Sequence, residues 1–289
     1  MPPTTPIHTC REGPPVHQVR DGYPAWMSDG LTFIGTATVL LRLGPFTVLT
    51  DPNFLHRGQW SYLGQGMVSR RRTEPAAQVA DLPALDAVVL SHLHGDHFDR
   101  IAGRELSADL PILTTGHAAH RLSRRGFRQT VALPTWSSET LTEGDATLTI
   151  TAVPARHTAG IVNRMLPPVI GSVYEYRSAP DVTPLRLYVS GDTVMHDDLR
   201  RIHERFPEID LAVLHLGGAR MLGILLSMDD KQGADLLQLL RPGHVVPVHF
   251  DDYGVFGSPL SNFLVETERR GLGSSVRVLR RGETLPLAT

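Results

Sequence analysis

Four metal-ligand side chains fall within the short run His92-Leu93-His94-Gly95-Asp96-His97. In an extended segment residues i and i+2 point to the same side, so His92 and His94 can converge on one cation. Gly95 permits a sharp turn after them. Asp96 and His97 then face a different point, where a second cation could sit. Three imidazoles and a carboxylate suit Zn²⁺ first, with Mn or Fe as alternatives. The plain reading, a surface loop rich in histidine, is disfavoured because the apolar run 87–90 leads straight into the motif.

A two-metal site needs further ligands from distant strand ends. His157 follows the predicted strand 146–153. Asp192 stands in the turn Ser190-Gly191-Asp192-Thr193 after the strand 185–189. His249 follows the strand 245–248. Each has an ordinary alternative, as a loop histidine, a helix N-cap and a packing histidine respectively. Together with the first run they fill the coordination that two metals require.

The elements that must position these residues are strand-rich at first: 31–34, 38–43 and 46–50 read as strands, and 54–83 as a long loop with a short helix. Strands and helices then interleave. Strands are expected at 87–90, 112–114, 146–153, 169–176, 185–189, 211–214, 245–248 and 276–279. Pro247 places its strand at an edge or near its end. Helices are expected at 117–125, 196–206, 229–240 and 259–270. A strand-heavy first half and an alternating second half favour an α+β arrangement of two sheets with helices on their outer faces.

Composition sets the broad class. The chain has 289 residues, 41% hydrophobic and 20% charged, as a globular protein with a substantial core requires. Residues 1–29 read as an extended N-terminal arm and 30–289 as a single domain. The net charge of -2 offers no basic excess, so no nucleic-acid partner is expected. The basic cluster Arg70-Arg71-Arg72 reads as a solvated loop rather than a phosphate clamp. Cys10 is the only cysteine, which excludes an intramolecular disulfide and fits a reducing cytoplasm. Residues 1–26 lack the pattern of a signal peptide. No apolar stretch approaches the roughly 20 residues of a transmembrane helix. A cytoplasmic location follows as the expectation, and nothing in the sequence sets an oligomeric state.

The run His92 to His97, followed in order by His157, Gly191-Asp192 and His249, resembles the metallo-β-lactamase superfamily. The resemblance covers at least residues 31–250. It implies a four-layer αββα sandwich with the metals at one edge of the two sheets. It also implies that His92, His94 and His157 bind the first metal, that Asp96, His97 and His249 bind the second, and that Asp192 bridges them. The segments Gly35-Thr36-Ala37-Thr38, Leu49-Thr50-Asp51-Pro52, Arg71-Arg72-Thr73-Glu74-Pro75 and Leu82-Pro83-Ala84-Leu85-Asp86 are similar to one branch. That branch holds N-acyl-phosphatidylethanolamine-hydrolysing phospholipase D and the ascorbate-phosphate lactonase. Thr36 and Ser227 stand where that branch often carries histidine.

Two adjacent divalent cations make a metal-bridging hydroxide available as nucleophile. No protein nucleophile is then needed, and the chain has no Gly-x-Ser-x-Gly elbow. Asp96 is expected to hold one metal and orient the hydroxide. His215, just before Gly217-Gly218, is a candidate catalytic donor or proton shuttle. Asp51 is a candidate acceptor for the N–H of a ligand histidine, or a simple turn residue. Met221, with Leu222, Ile224 and Leu225, could line an apolar pocket that Tyr253 and Phe256 cap, although such stripes are more often core. The expected function is hydrolysis of a small-molecule phosphodiester carrying an apolar or phosphate group. Lactone or ester hydrolysis and non-catalytic metal binding are the alternatives. An iron oxidoreductase is disfavoured, since His94 stands where such relatives carry a carboxylate.

Overall fold

The computed structural model describes residues 30–64 and 66–287; the arm expected over 1–29, and Cys10 with it, lies outside them. The first sheet starts as an antiparallel meander of β1 (Gly30–Gly35), β2 (Thr38–Leu43) and β3 (Phe46–Thr50). A hairpin of β4 (Trp60–Gly64) and β5 (Met67–Arg70) then leaves the sheet. The chain re-enters as β6 (Ala87–Val89), parallel to β3. Through α1 (Arg100–Glu105), β7 (Ile112–Thr114), α2 (Gly116–Ser123) and β8 (Thr130–Ala132) it continues the parallel half.

The second sheet repeats the scheme. β9 (Ser138–Glu143), β10 (Ala146–Pro154), β11 (Ile170–Arg177) and β12 (Leu185–Val189) pair antiparallel. After α3 (Arg200–Arg205), β13 (Leu211–His215) adds in parallel. A small hairpin, β14 (Arg220–Met221) and β15 (Ile224–Leu225), precedes α4 (Asp230–Leu240) and the parallel edge strand β16 (His244–Val248). After α5 (Leu260–Arg269), β17 (Thr284–Leu285) returns to the first sheet beside β1. The orders are β17-β1-β2-β3-β6-β7-β8 and β16-β13-β12-β11-β10-β9. Pro247 lies on an edge strand, where a missing N–H is tolerated.

Four layers follow from residues that are apolar on both faces of the central strands. Phe33, Leu41 and Val48 point between the sheets, against Leu148, Tyr174, Leu187 and Val213. Their neighbours Ile34, Leu40 and Leu49 point the other way, onto Ile101, Ala118 and Leu122 of α1 and α2. On the far side Val173, Tyr188 and Leu214 meet Ile202, Leu236, Leu240 and Phe263 of α3, α4 and α5. Side-chain caps fix the helix starts: Asp99 accepts from the amides of Ile101 and Ala102, Thr115 from Ala118, and Asp229 from Gln232.

Some elements differ from expectation. The segment 54–83 is not a loop throughout, since it contains the β4–β5 hairpin and a 3₁₀ turn at Val79–Asp81. The alternation in β4 is inverted: Trp60 and Tyr62 point outward while Ser61 and Leu63 are buried. The helix expected over 196–206 divides into a 3₁₀ turn, Asp197–Leu199, and α3. The strand expected at 276–279 reduces to a single bridge between Val245 and Val276. The elements α1, β8, β9 and the β14–β15 hairpin were not anticipated from the sequence. Among the described residues no helix is long and apolar enough to cross a membrane.

Candidate metal centre

The parallel strands end on one edge of the sandwich, and the chemistry-bearing residues stand at those ends and, for His157, at the end of the antiparallel β10. Asp51 follows β3, the run Ser91 to His97 follows β6, and His157 follows β10. Asp192 follows β12, His215 ends β13 and His249 follows β16. Carboxyl ends of parallel strands are where open sheets gather ligands, because the chain turns there without a covering neighbour.

Three groupings result. His92, His94 and His157 each bring one ligand atom to within 4.8 Å of the others, and so do Asp96, His97, Asp192 and His249. Asp51, His97 and His215 form the third. The seven side chains expected as ligands are thus brought together in two adjoining clusters, joined by the contact of the His92 and His97 rings at 4.1 Å between centroids.

In the first cluster His92 Nε2 lies 2.8 Å from His94 Nδ1, so both nitrogens address one point. The other nitrogen of His92 stands 3.0 Å from Ser91 Oγ. The Leu226 backbone hydrogen-bonds the His157 ring. Burial, and then His94, lower the His157 pKa to about 4. Burial and then His97 hold His92 well below the usual histidine range, and burial also lowers His94. Three neutral imidazoles result, the form that binds a cation.

The second cluster carries the charge. His97 Nε2 faces Asp192 Oδ2 at 3.3 Å, and His249 Nε2 faces Asp96 Oδ2 at 3.3 Å. Burial works to lower the His97 pKa, yet Asp192, Asp51 and Asp96 together raise it well above the ordinary value. Burial likewise opposes charge on His249, and Asp192 and Asp96 raise it. Burial opposes ionisation of Asp192, but His249 and His97 hold it well below the carboxylate range. Positive charge is stabilised at this point by three buried carboxylates.

The residues behind the ligands fix their orientation. Asp51 is buried, accepts from Ser91 N at 2.7 Å, and lies 3.1 Å from His97 Nδ1. Burial would raise its pKa, but His97 and His215 bring it down to about 2. Asp51 and His249 hold φ of 38° and 62°, a region that costs a non-glycine residue free energy and is retained where surroundings impose it. Gly64 and Gly191 are among the glycines that space requires here. A Cβ on Gly64 would lie 2.5 Å from His94 Nε2, and one on Gly191 would lie 2.5 Å from the Ile170 carbonyl.

Whether these groups suit a cation is answered by their unused atoms. His94 Nε2, Asp96 Oδ1 and His157 Nε2 are buried without a hydrogen-bond partner. An unsatisfied buried polar atom costs about 1–3 kcal/mol. Several gathered at one place, all of metal-ligand type, fit divalent cations and explain that cost.

Other expectations are corrected. His215 does not overlook an opening: it is fully buried, with Nδ1 3.2 Å from Ser190 Oγ and Nε2 3.3 Å from Asp51 Oδ2. Both ring nitrogens face protein groups, with Nε2 directed at Asp51. Tyr253 does not cap a pocket. It is fully buried, and its hydroxyl donates to Asn53 Oδ1 at 3.1 Å. Phe256, with its ring centroid 4.4 Å from that of His249, lies nearer the centre. Met221 is half-buried on β14, while Leu222 beside it is 96% exposed.

Arg71 is buried, not solvated. It pairs with Asp252 at 3.3 Å, donates to the Asn53 carbonyl at 2.9 Å, and also contacts Asn53 Oδ1. Asn53 Nδ2 donates to the carbonyl of Gly95 at 2.8 Å, inside the ligand run. Asp252 accepts from the amide of Thr36, and the Thr36 carbonyl accepts from the amide of His249. This network braces Asp96 and His249 from beneath. Thr36 and Arg71 fall in segments noted from the sequence, but their pairing through Asp252 was not legible, because the members are far apart in the chain.

The sequence pattern of a β-lactamase superfamily domain matches residues 47–250. A metal-dependent hydrolase of Deinococcus radiodurans is 31% identical over 204 residues, covering 70% of this chain and 80% of that protein. The crystal structure of isothiocyanate hydrolase from Delia radicum gut bacteria is similar with a TM-score of 0.76 at 22% identity, over 90% of this chain and 99% of that one. A possible metal-dependent hydrolase from Veillonella parvula is similar with a TM-score of 0.74, also at 22% identity and over 90% and 99% of the two chains.

Proposed function

The chain belongs to the β-lactamase superfamily, and from that premise we propose that it is a dinuclear metal-dependent hydrolase acting on a small-molecule phosphodiester. The observation that carries this reading is the convergence of seven ligand-type side chains in two adjoining clusters with buried, unpartnered ligand atoms. His92, His94 and His157 would hold one cation, and Asp96, His97 and His249 the other, with Asp192 between them. When bound, such cations, zinc first and manganese or iron as alternatives, supply Lewis acidity and bring a shared water toward neutral pKa as the nucleophile.

The protein's own contribution is orientation. Asp51 takes the N–H of His97 and fixes its Nε2 toward Asp192. The Leu216 carbonyl stands 3.3 Å from His249 Nδ1, which leaves Nε2 for the centre. Such outer contacts raise ligand basicity and fix the ring. The phosphodiester assignment draws on the resemblance to the phospholipase branch; the buried Arg71 plays no part in it. Hydrolysis of bis(p-nitrophenyl) phosphate by the zinc- or manganese-loaded protein, beside a panel of lactones, tests the reading. Turnover of the phosphodiester is expected. Activity on lactones alone would reject the phosphodiester and keep the hydrolase, whereas no hydrolysis in either arm would reject both.

A further inference from the structure

A cavity of about 560 Å³ lies between the β4–β5 hairpin and α1, with His94 in its wall. That volume is in the range of small-molecule sites. Its body is apolar: Trp60 and Tyr62 come from the hairpin, and Leu93 and Phe98 from the segment that carries the metal-ligand run. Trp60 and Tyr62 are 52% and 59% exposed, although Ser61 between them is buried. The hairpin thus turns its two largest rings outward. It is also locked in register with the ligand run, since Gly95 N donates to the Tyr62 carbonyl at 2.9 Å.

Positive charge predominates on the cavity lining, which carries three arginines and one carboxylate. Arg100, Arg104 and Arg125 stand on its lining. The carboxylate among its lining residues, Asp99, is fully engaged: one oxygen accepts from the amides of Phe54 and Leu55, the other from those of Ile101 and Ala102. Arg104 pairs with Glu105 at 2.9 Å. Arg100 gives one N–H to the Trp60 carbonyl and keeps the rest. Arg121 adds its charge beside Arg125, whose guanidinium has no acidic partner among the described residues. Guanidinium groups left over an apolar wall match a ligand that is apolar along its body and acidic at one end.

We propose that this cavity is a binding site for an organic anion, with its apolar body on Trp60, Tyr62 and Phe98 and its acidic group on Arg100 and Arg125. Its position beside His94 makes it the subsite for the non-reacting part of the substrate. That role rests on the hydrolase reading, whereas occupancy does not and is measured without turnover.

The test is equilibrium binding to the metal-loaded, full-length protein. The probe is 2-naphthalenesulfonate, with neutral 2-naphthalenemethanol and inorganic phosphate as partial mimics. The sulfonate is expected to bind saturably, and each mimic at least about tenfold more weakly, as loss of one charge-assisted contact or of the apolar body requires. Arg125→Met and Tyr62→Ala should each weaken the sulfonate by about tenfold. Both residues are exposed, so the fold is retained, which circular dichroism checks. Equal binding of the neutral alcohol would overturn anion recognition. Unchanged binding by both variants would overturn the location. Displacement of the sulfonate by phosphate at equal concentration would place the anion at the metals instead. Binding as expected from a protein that hydrolyses nothing would leave the site standing and count against the hydrolase.

Discussion

Asp51 occupies the point where three ligand-bearing or ligand-supporting strands meet, touching Ser91, His97 and His215 at once. Removing its charge with Asp51→Asn should weaken zinc binding by about 10–100-fold, since partners of ligand histidines set both their orientation and basicity. Competition with a chromophoric chelator reads the change. Arg71→Met leaves the buried Asp252 with Arg281 as its one cationic partner among the described residues, and should destabilise the protein by about 3 kcal/mol. Urea unfolding checks this, and a loss within error would refute the bracing role. The buried His157 makes a pH prediction with a definite sign. Its folded pKa is lowered to about 4 from an unfolded value near 6.5. The unfolded chain therefore takes up the proton first, so this contribution to stability is whole above pH 6.5 and lost as pH falls toward 4. In metal-free protein, His157→Gln should flatten the dependence of Tm on pH across that window. At this scale the sequence was informative where chemistry is local. The spacing of His92, His94, Asp96 and His97 needs only an extended segment and a turn. Arg71 and Asp252 were opaque, because their meaning lies in a contact across 181 positions.

The elements divide in the same way. The strands that lead to Asp192 and His249 were legible, because apolar runs bounded by turn residues mark buried strands irrespective of partner. The β4–β5 hairpin was not, since its aromatic residues face outward and its buried positions include Ser61 and Ser69, which inverts the usual signal. Yet the hairpin approaches the metal centre closely at Gly64. Gly64 also holds φ of 89°. Gly64→Ala should therefore do two things: cost about 1 kcal/mol of stability from the backbone alone, and displace the His94 ring. A weakened first metal site, seen as a lower zinc stoichiometry at limiting metal, is the expected result. Unchanged stoichiometry would show that the hairpin yields instead. At α4, away from the site, Asp229→Ala removes the bond to the Gln232 amide. It should cost about 1 kcal/mol without altering metal content.

The whole molecule is a sandwich in which each sheet is antiparallel on one side and parallel on the other, and the parallel halves end on one edge. That arrangement gathers residues from 51 to 249 without any single long-range motif. Alternation indicated two sheets covered by helices, while the four-layer order came from the resemblance, because periodicity does not say which sheet a strand joins. The cavity beside His94 belongs to this scale too, since its walls combine a hairpin and a helix that no local pattern links. The proposed hydrolysis needs two cations acting together. Titrating chelator-stripped protein with Zn²⁺, while following bound metal and hydrolysis of bis(p-nitrophenyl) phosphate, tests it most directly. Two zinc ions per chain are expected, with activity reaching its plateau only as the second is bound. Full activity at one ion per chain, or no hydrolysis with both bound, would contradict it.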